Sequence, residues 1–87
     1  MQLEAINAKL RDFLASHFPL ARKVSNDDRL LGSGVLDSLG VLEVVTFVER
    51  EFGVTVNDEE LVPENFESVS KLAAFVKNKM NGATPVR

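Results

Sequence analysis

One side chain combines a reactive atom with a position that suits chemistry: Ser38, in the stretch G-V-L-D-S-L-G at residues 34–40. A long apolar helix pattern follows it, so the side chain of Ser38 or of Asp37 can cap the helix by accepting a backbone N–H. The free N–H groups and the dipole of a helix start also favour an anion, which makes the Ser38 oxygen a suitable place for a phosphate ester. A cap and a phosphate ester need the same position, and the residues alone leave both open.

The rest of the chain offers little for catalysis or metal binding. A nucleophilic serine needs a general base, and the only histidine, His17, falls on the apolar face of a predicted helix, where a structural role is expected. The G-S-G at residues 32–34 lacks the G-K-[ST] of a phosphate-binding loop. The acids at residues 58–60 lack the spacing of a calcium loop, so a solvated helix cap is expected there. With no cysteine in the chain, thiolate zinc sites, disulfides and thiol catalysis are excluded. We expect no catalytic residue, no metal site and no enzymatic activity.

Hydrophobic periodicity places Ser38 in a small all-α domain. The 87 residues, 45% of them hydrophobic, suffice for a single core. A first helix is predicted from Leu3 to about Phe18, where Pro19 stops it. Residues 19–37 predict a long ordered loop, and a second helix is predicted from Ser38 to about Phe52, closed by Gly53 as a left-handed cap. Four apolar loop residues are expected to enter the core: Leu30, Leu31, Val35 and Leu36.

The C-terminal part predicts two further helical segments. Asn57 and Glu60 have the spacing of a capping box, and Pro63 can begin another turn, so one or two short turns are expected within residues 58–67. Ser68 is a suitable cap for a last helix with a buried face. That face consists of Val69, Leu72, Ala73, Val76 and Met80. The prediction is a small four-helix bundle, with three longer helices and one short helix, comprising a domain at residues 1–81 and a mobile tail at residues 82–87.

A turn of about 100° per residue divides the second helix into two faces. The face expected in the core consists of Val41, Val44, Val45, Val48 and Phe52. The outward face consists of Ser38, Leu39, Leu42, Glu43, Thr46, Glu49 and Arg50. Two leucines among charged residues are more exposed apolar surface than packing requires, which is typical of a docking interface. Phe47 lies between the faces and is expected to contact the last helix or the loop.

Charge is distributed unevenly along the chain. Residues 37–67 contain nine acids and one base, whereas residues 68–87 contain four bases and no acid. An acidic segment of this kind repels nucleic acid and attracts a basic protein surface. The N-terminal residues lack the apolar run of a signal peptide, and no stretch is long enough to cross a bilayer. We expect a cytoplasmic monomer that binds proteins rather than nucleic acid or membranes.

Several motifs in order resemble the acyl carrier proteins and their peptidyl carrier relatives. They are D-S-L at residues 37–39, L-E-V-V-T-F-V-E-R-E-F-G-V-T-V at residues 42–56, D-E-E-L at residues 58–61 and P-E-N-F-E-S-V at residues 63–69. The resemblance implies that a phosphopantetheinyl transferase uses coenzyme A and magnesium to attach 4'-phosphopantetheine to Ser38. The thiol of that arm would hold an acyl or aminoacyl group as a thioester. It also implies that partner enzymes dock on Asp37, Leu39, Leu42, Glu43 and Glu49, and the outward face adds Thr46.

The cargo of such a carrier is left open by the sequence. Gly40 stands where fatty-acid carriers often have an acid, and Arg50 interrupts the acidic face. The motif G-V-L-D-S-L-G resembles carriers of specialised metabolism, such as polyketide or nonribosomal peptide synthesis, or D-alanyl carriers, more closely than it resembles the housekeeping fatty-acid carrier. Expected partners are a loading ligase, a ketosynthase, an acyltransferase or another thioester-processing enzyme. An aminoacyl carrier loaded by an adenylating enzyme is the alternative, and an unmodified helical interaction domain is an alternative of another class.

Overall fold

The computed structural model describes residues 2–81, which form three α-helices and three short 3₁₀ turns. The helices are α1 (Leu3–His17), α2 (Ser38–Phe52) and α3 (Val69–Met80). The turns comprise Pro19–Lys23, Asp58–Glu60 and Pro63–Phe66. The described residues contain one isolated β-bridge and no strand, which confirms the all-α prediction, with the short fourth helix present as two 3₁₀ turns. The predicted mobile tail lies outside the described residues.

The first helix buries one face against α3. Ile6, Leu10 and Leu14 are buried on that face. His17 does not belong to it, contrary to the prediction. Its ring is exposed, stacks on Phe13 with centroids 4.2 Å apart, and has its Nδ1 atom 3.0 Å from the Phe13 carbonyl oxygen. The buried face of α1 ends at Leu14, so His17 packs beside the core rather than inside it.

The second helix begins and ends at the predicted residues. Gly53 has a φ of 69° and donates its N–H to the Glu49 carbonyl, as expected for a left-handed cap. The predicted core face is confirmed, since its members are either buried (Val44, Val48 and Phe52) or half-buried against the core (Val41 and Val45). The expected partner of Phe47 is wrong: its ring stacks on Phe13 of α1, with centroids 4.2 Å apart and planes 14° apart.

The long loop before α2 is held in place by its own apolar residues. Leu30, Val35 and Leu36 are buried and Leu31 is half-buried, which confirms the predicted contact with the core. Backbone bonds fix the loop at both ends of this segment. Leu30 donates its N–H to the Glu67 carbonyl at 2.7 Å, and Leu36 donates to the Leu30 carbonyl at 3.0 Å. These bonds and the buried side chains therefore fix the position of the chain where it enters α2.

The last helix is capped and packed as predicted. The Ser68 hydroxyl oxygen accepts the Lys71 N–H at 3.1 Å. The predicted apolar face consists of buried Val69, Leu72, Ala73 and Val76 with half-buried Met80. Within residues 2–81, no helix combines the length and the apolar character needed to span a membrane.

Candidate functional site

Ser38 is the first residue of α2, and its neighbour provides the cap. The Asp37 carboxylate accepts the Gly40 N–H at 2.8 Å, so Asp37 rather than Ser38 is the capping residue. The Ser38 side chain is exposed and makes no hydrogen bond to any residue from 2 to 81. Asp37 thus takes the capping role, and the Ser38 hydroxyl is exposed and unbonded within the described residues.

The backbone around Ser38 suits an anionic substituent. The Gly40 and Val41 N–H groups are taken by the Asp37 side chain and the Asp37 carbonyl. The Ser38 and Leu39 N–H groups form no hydrogen bond within the described part of the chain. Free N–H groups at a helix start attract negative charge. The residues present therefore fit a phosphoryl group esterified to the Ser38 oxygen.

Gly40 is buried on the opposite side of this first turn. A Cβ atom at this position would lie 2.8 Å from the Leu36 Cδ1 atom and 2.9 Å from the Phe18 Cε1 atom. Both distances are shorter than a normal carbon contact, so any side chain would displace one of these residues. Packing of Phe18 and Leu36 accounts for the glycine at this position.

Two clefts lie beside the start of α2. The first, of about 300 Å³, is lined by Leu31, Ser38, Val41, Leu61, Val62, Pro63 and Phe66. The second, of about 440 Å³, is called the loop cleft here and is lined by Phe18, Pro19, Leu20, Gly34, Val35, Asp37, Leu39 and Glu43. Ser38 therefore borders one cleft, whereas its neighbours Asp37 and Leu39 border the other.

Most of the predicted docking residues face solvent. The exposed fraction is 72% for Leu39 and 55% for Leu42, which is high for leucine. Asp37, Glu43 and Thr46 are exposed as well, and the Thr46 hydroxyl donates to the Leu42 carbonyl at 3.0 Å. The structure thus brings these residues together on one outward surface, and their role in docking stays a prediction.

Glu49 differs from the other predicted docking residues because it is half-buried and bonded to the segment after α2. Its side chain is half-buried, and its Oε2 atom accepts the Val56 N–H at 2.8 Å. The bond fastens the segment after α2 to the helix. Arg50 beside it is exposed, as expected.

The acidic turn at residues 58–60 is only partly a solvated cap. Glu60 accepts the Asn57 N–H at 2.9 Å, as the capping-box spacing predicts, and forms an ion pair with Lys79 at 2.8 Å. Burial acts to raise the pKa of Glu60, but the Asn57 N–H and the Lys79 ammonium outweigh it and hold that pKa below its ordinary value of 4.5. Asp58 and Glu59 are exposed. No group of three or more potential metal-ligating side chains occurs in the described part of the chain.

Sequence reasoning missed two residues that shape the loop cleft. Phe18 closes the cleft beneath α2, and Leu20 is 50% exposed at its edge. Pro19 could have indicated a helical turn here, because proline commonly occupies the first position of such a turn and here begins Pro19–Lys23. The long loop was therefore more structured than predicted.

Comparisons with known proteins agree on one family. The family described as "Phosphopantetheine attachment site" matches residues 8–76. Aminoacyl carrier protein 1 of Bradyrhizobium diazoefficiens is 35% identical over 65 residues, covering 75% of this chain and 71% of that protein. A D-alanyl carrier protein of Streptococcus suis is 34% identical over 55 residues, covering 63% of this chain and 70% of that protein. The solution NMR structure of the holo acyl carrier protein of Nitrosomonas europaea superposes with a TM-score of 0.67 at 35% identity, covering 93% of this chain and 99% of that one.

Proposed function

Since the chain belongs to the family of phosphopantetheine-binding carrier proteins, we propose that Ser38 carries its prosthetic group and presents acyl intermediates to partner enzymes. The family match and the holo carrier structure support 4'-phosphopantetheine as that group. The observation that carries the assignment to Ser38 is its exposed, unbonded hydroxyl at the first position of α2. Asp37 supports it by capping the helix, which leaves that hydroxyl available.

The modification is a phosphoryl transfer from coenzyme A. The Ser38 oxygen forms a bond to the phosphorus that bears the pantetheine arm and loses its proton, while the phosphoanhydride bond breaks and adenosine 3',5'-bisphosphate leaves. The reaction needs an external phosphopantetheinyl transferase with magnesium. The chain contributes an accessible oxygen and the free N–H groups of Ser38 and Leu39, which favour the anionic product.

The arm supplies a thiol that holds the cargo as a thioester. Tethering raises the effective concentration of the cargo at an enzyme's active site, and a weak, charge-steered interface lets the carrier move on to the next enzyme. The exposed surface of Asp37, Leu39, Leu42, Glu43 and Thr46 suits such brief docking. In this proposal the chain is a cytoplasmic, monomeric acyl carrier of specialised metabolism that has no catalytic activity, and its partners are loading and thioester-processing enzymes.

The test is an intact-mass measurement after incubation with coenzyme A, magnesium and a broad-range phosphopantetheinyl transferase. We expect the wild type to gain the mass of one phosphopantetheinyl group and Ser38→Ala to gain none. Ser33→Ala is the matched control, because Ser33 is the nearest other serine and its hydroxyl already donates to the Arg29 carbonyl at 2.8 Å. An unmodified wild type would reject the carrier function.

An aminoacyl carrier is the second candidate, supported by the names of the relatives from Bradyrhizobium and Streptococcus. In that case an adenylating enzyme would load an amino acid, such as D-alanine, onto the arm. Offering the holo protein matched sets of acyl and aminoacyl donors with their ligases separates the two by the mass that is added. If only aminoacyl groups were loaded, the function would be that of an aminoacyl carrier and not of an acyl carrier.

A further inference from the structure

The loop cleft joins two exposed leucines from different elements. Leu20 belongs to Pro19–Lys23 and is 50% exposed, and Leu39 belongs to the first turn of α2 and is 72% exposed. Phe18 and Val35 also line the cleft. An apolar recess between two exposed leucines favours the burial of an apolar side chain from another molecule.

The charged residues that line the loop cleft all have one sign. Its lining includes the carboxylates of Asp37 and Glu43 and no basic residue. One carboxylate oxygen of Asp37 accepts the Gly40 N–H, and Glu43 forms no ion pair or hydrogen bond within residues 2–81. A partner whose apolar side chain fills the recess therefore complements the cleft best when it also carries a cation next to that side chain.

The position of the cleft relative to Ser38 selects one partner. An enzyme that forms a bond to the Ser38 oxygen must contact the residues on either side of it, and both Asp37 and Leu39 line the cleft. Enzymes that act on the far end of a phosphopantetheine arm are not bound to approach this closely. The constraint thus applies most strictly to the enzyme that attaches the arm.

We infer that the recess of the loop cleft between Leu20 and Leu39 receives an apolar side chain of the phosphopantetheinyl transferase, so that this enzyme contacts the Pro19–Lys23 turn as well as the acids at the start of α2. The inference rests on the proposed function and extends the docking surface from α2 onto Leu20. It makes Leu20 a recognition residue for modification, although it is 18 positions away from Ser38 in the sequence.

The test compares steady-state modification of carrier variants by a broad-range phosphopantetheinyl transferase. Leu20→Ser should raise the KM for the carrier about fivefold or more with kcat little changed, because docking is lost while Ser38 is intact. Leu20→Lys should raise it further, at least about tenfold, because its charge opposes the partner's cation. Leu3→Ser is the matched control: Leu3 is 41% exposed, lines neither cleft and should leave the KM within about twofold.

Three outcomes would overturn the inference. An unchanged KM in both Leu20 variants would show that the transferase does not use the cleft, and an equal rise in Leu3→Ser would show a nonspecific effect. A concentration-dependent wild-type dimer that Leu20→Ser dissociates would instead assign the cleft to a second copy of the chain. Circular dichroism gives the folded fraction of each variant. A wild type that gains no arm at all fails the proposed function itself, which the intact-mass measurement detects separately.

Discussion

Glu43 and Glu49 lie on the same outward arc of α2 but differ in what their carboxylates contact. Glu43 lines the loop cleft and has no partner within residues 2–81. Glu49, near the other end of the helix, accepts the Val56 N–H and so fastens the chain that leads to the turns before α3. Glu43 therefore keeps its carboxylate available for other molecules, whereas Glu49 and Glu51 in the C-terminal half of α2 use theirs within the fold.

This difference shows why an acidic segment is a poor measure of docking charge. Of the nine acids in residues 37–67, five have a hydrogen-bond or ion-pair partner. The five are Asp37, Glu49, Glu51, Glu60 and Glu67. A surface defined by position in the structure, rather than by charge in the sequence, identifies the acids that a partner can use.

The largest expected effect is a loss of stability, and it tests whether Gly40 lies on the buried side of α2. Gly40→Asp should lower the free energy of unfolding by about 3 kcal/mol, because the side chain would enter the contact between Phe18 and Leu36 and bury a carboxylate there. Urea denaturation measures it. Thr46→Asp adds the same charge at an exposed position of the same helix and should change stability by less than about 0.5 kcal/mol. Equal stability of the two variants would contradict the buried position of Gly40.

The next effect concerns the ion pair that holds the turn at residues 58–60 to α3. Glu60→Gln should cost about 1–2 kcal/mol at neutral pH, because the largely buried Lys79 ammonium loses its partner. The pKa of Glu60 is lowered by folding, so its contribution is fully present above 4.5 and is lost as the pH falls through the lower folded value.

Urea denaturation across this pH range checks the sign. The stability difference between the wild type and Glu60→Gln should shrink on acidification. Glu59→Gln is the control, since Glu59 is exposed and forms no side-chain bond within residues 2–81. A difference that grows towards acid pH would contradict the assigned ion pair.

The smallest effect separates the two glutamates of the opening comparison. Glu49→Ala should cost about 1 kcal/mol in stability, because the Val56 N–H loses its acceptor, and should leave the KM for the phosphopantetheinyl transferase unchanged. Glu43→Ala should leave stability within about 0.5 kcal/mol and raise that KM, with a weaker dependence on salt than the wild type has. If both variants behaved alike in both measurements, the distinction between the two glutamates would be wrong.

The helices and the core were predictable because each depends on a local pattern. The apolar period of α2 gave its core face, and Gly53 gave its end. The Ser68 cap and the buried face of α3 also follow from residues close together in the sequence. Ser38 could be singled out for the same reason, since a helix start is a local feature.

Features that depend on packing between elements could not be predicted in this way. The period of α2 places Phe47 at the edge of the core but does not say that Phe13 of α1 lies opposite. Gly40 is explained only by Phe18 and Leu36, which the fold brings against it. The choice of Asp37 over Ser38 as the cap depends on backbone angles at one residue, and both residue types are suitable caps.

The most direct test of the central claim is to locate the arm on the modified protein. Trypsin releases residues 30–50 as one peptide, which contains both Ser33 and Ser38. After treatment with coenzyme A and the transferase, fragment masses of this peptide should place the phosphopantetheinyl group on Ser38 and leave Ser33 unmodified. A group on Ser33, or a peptide that stays unmodified throughout, would contradict the assignment of Ser38 as the carrier residue.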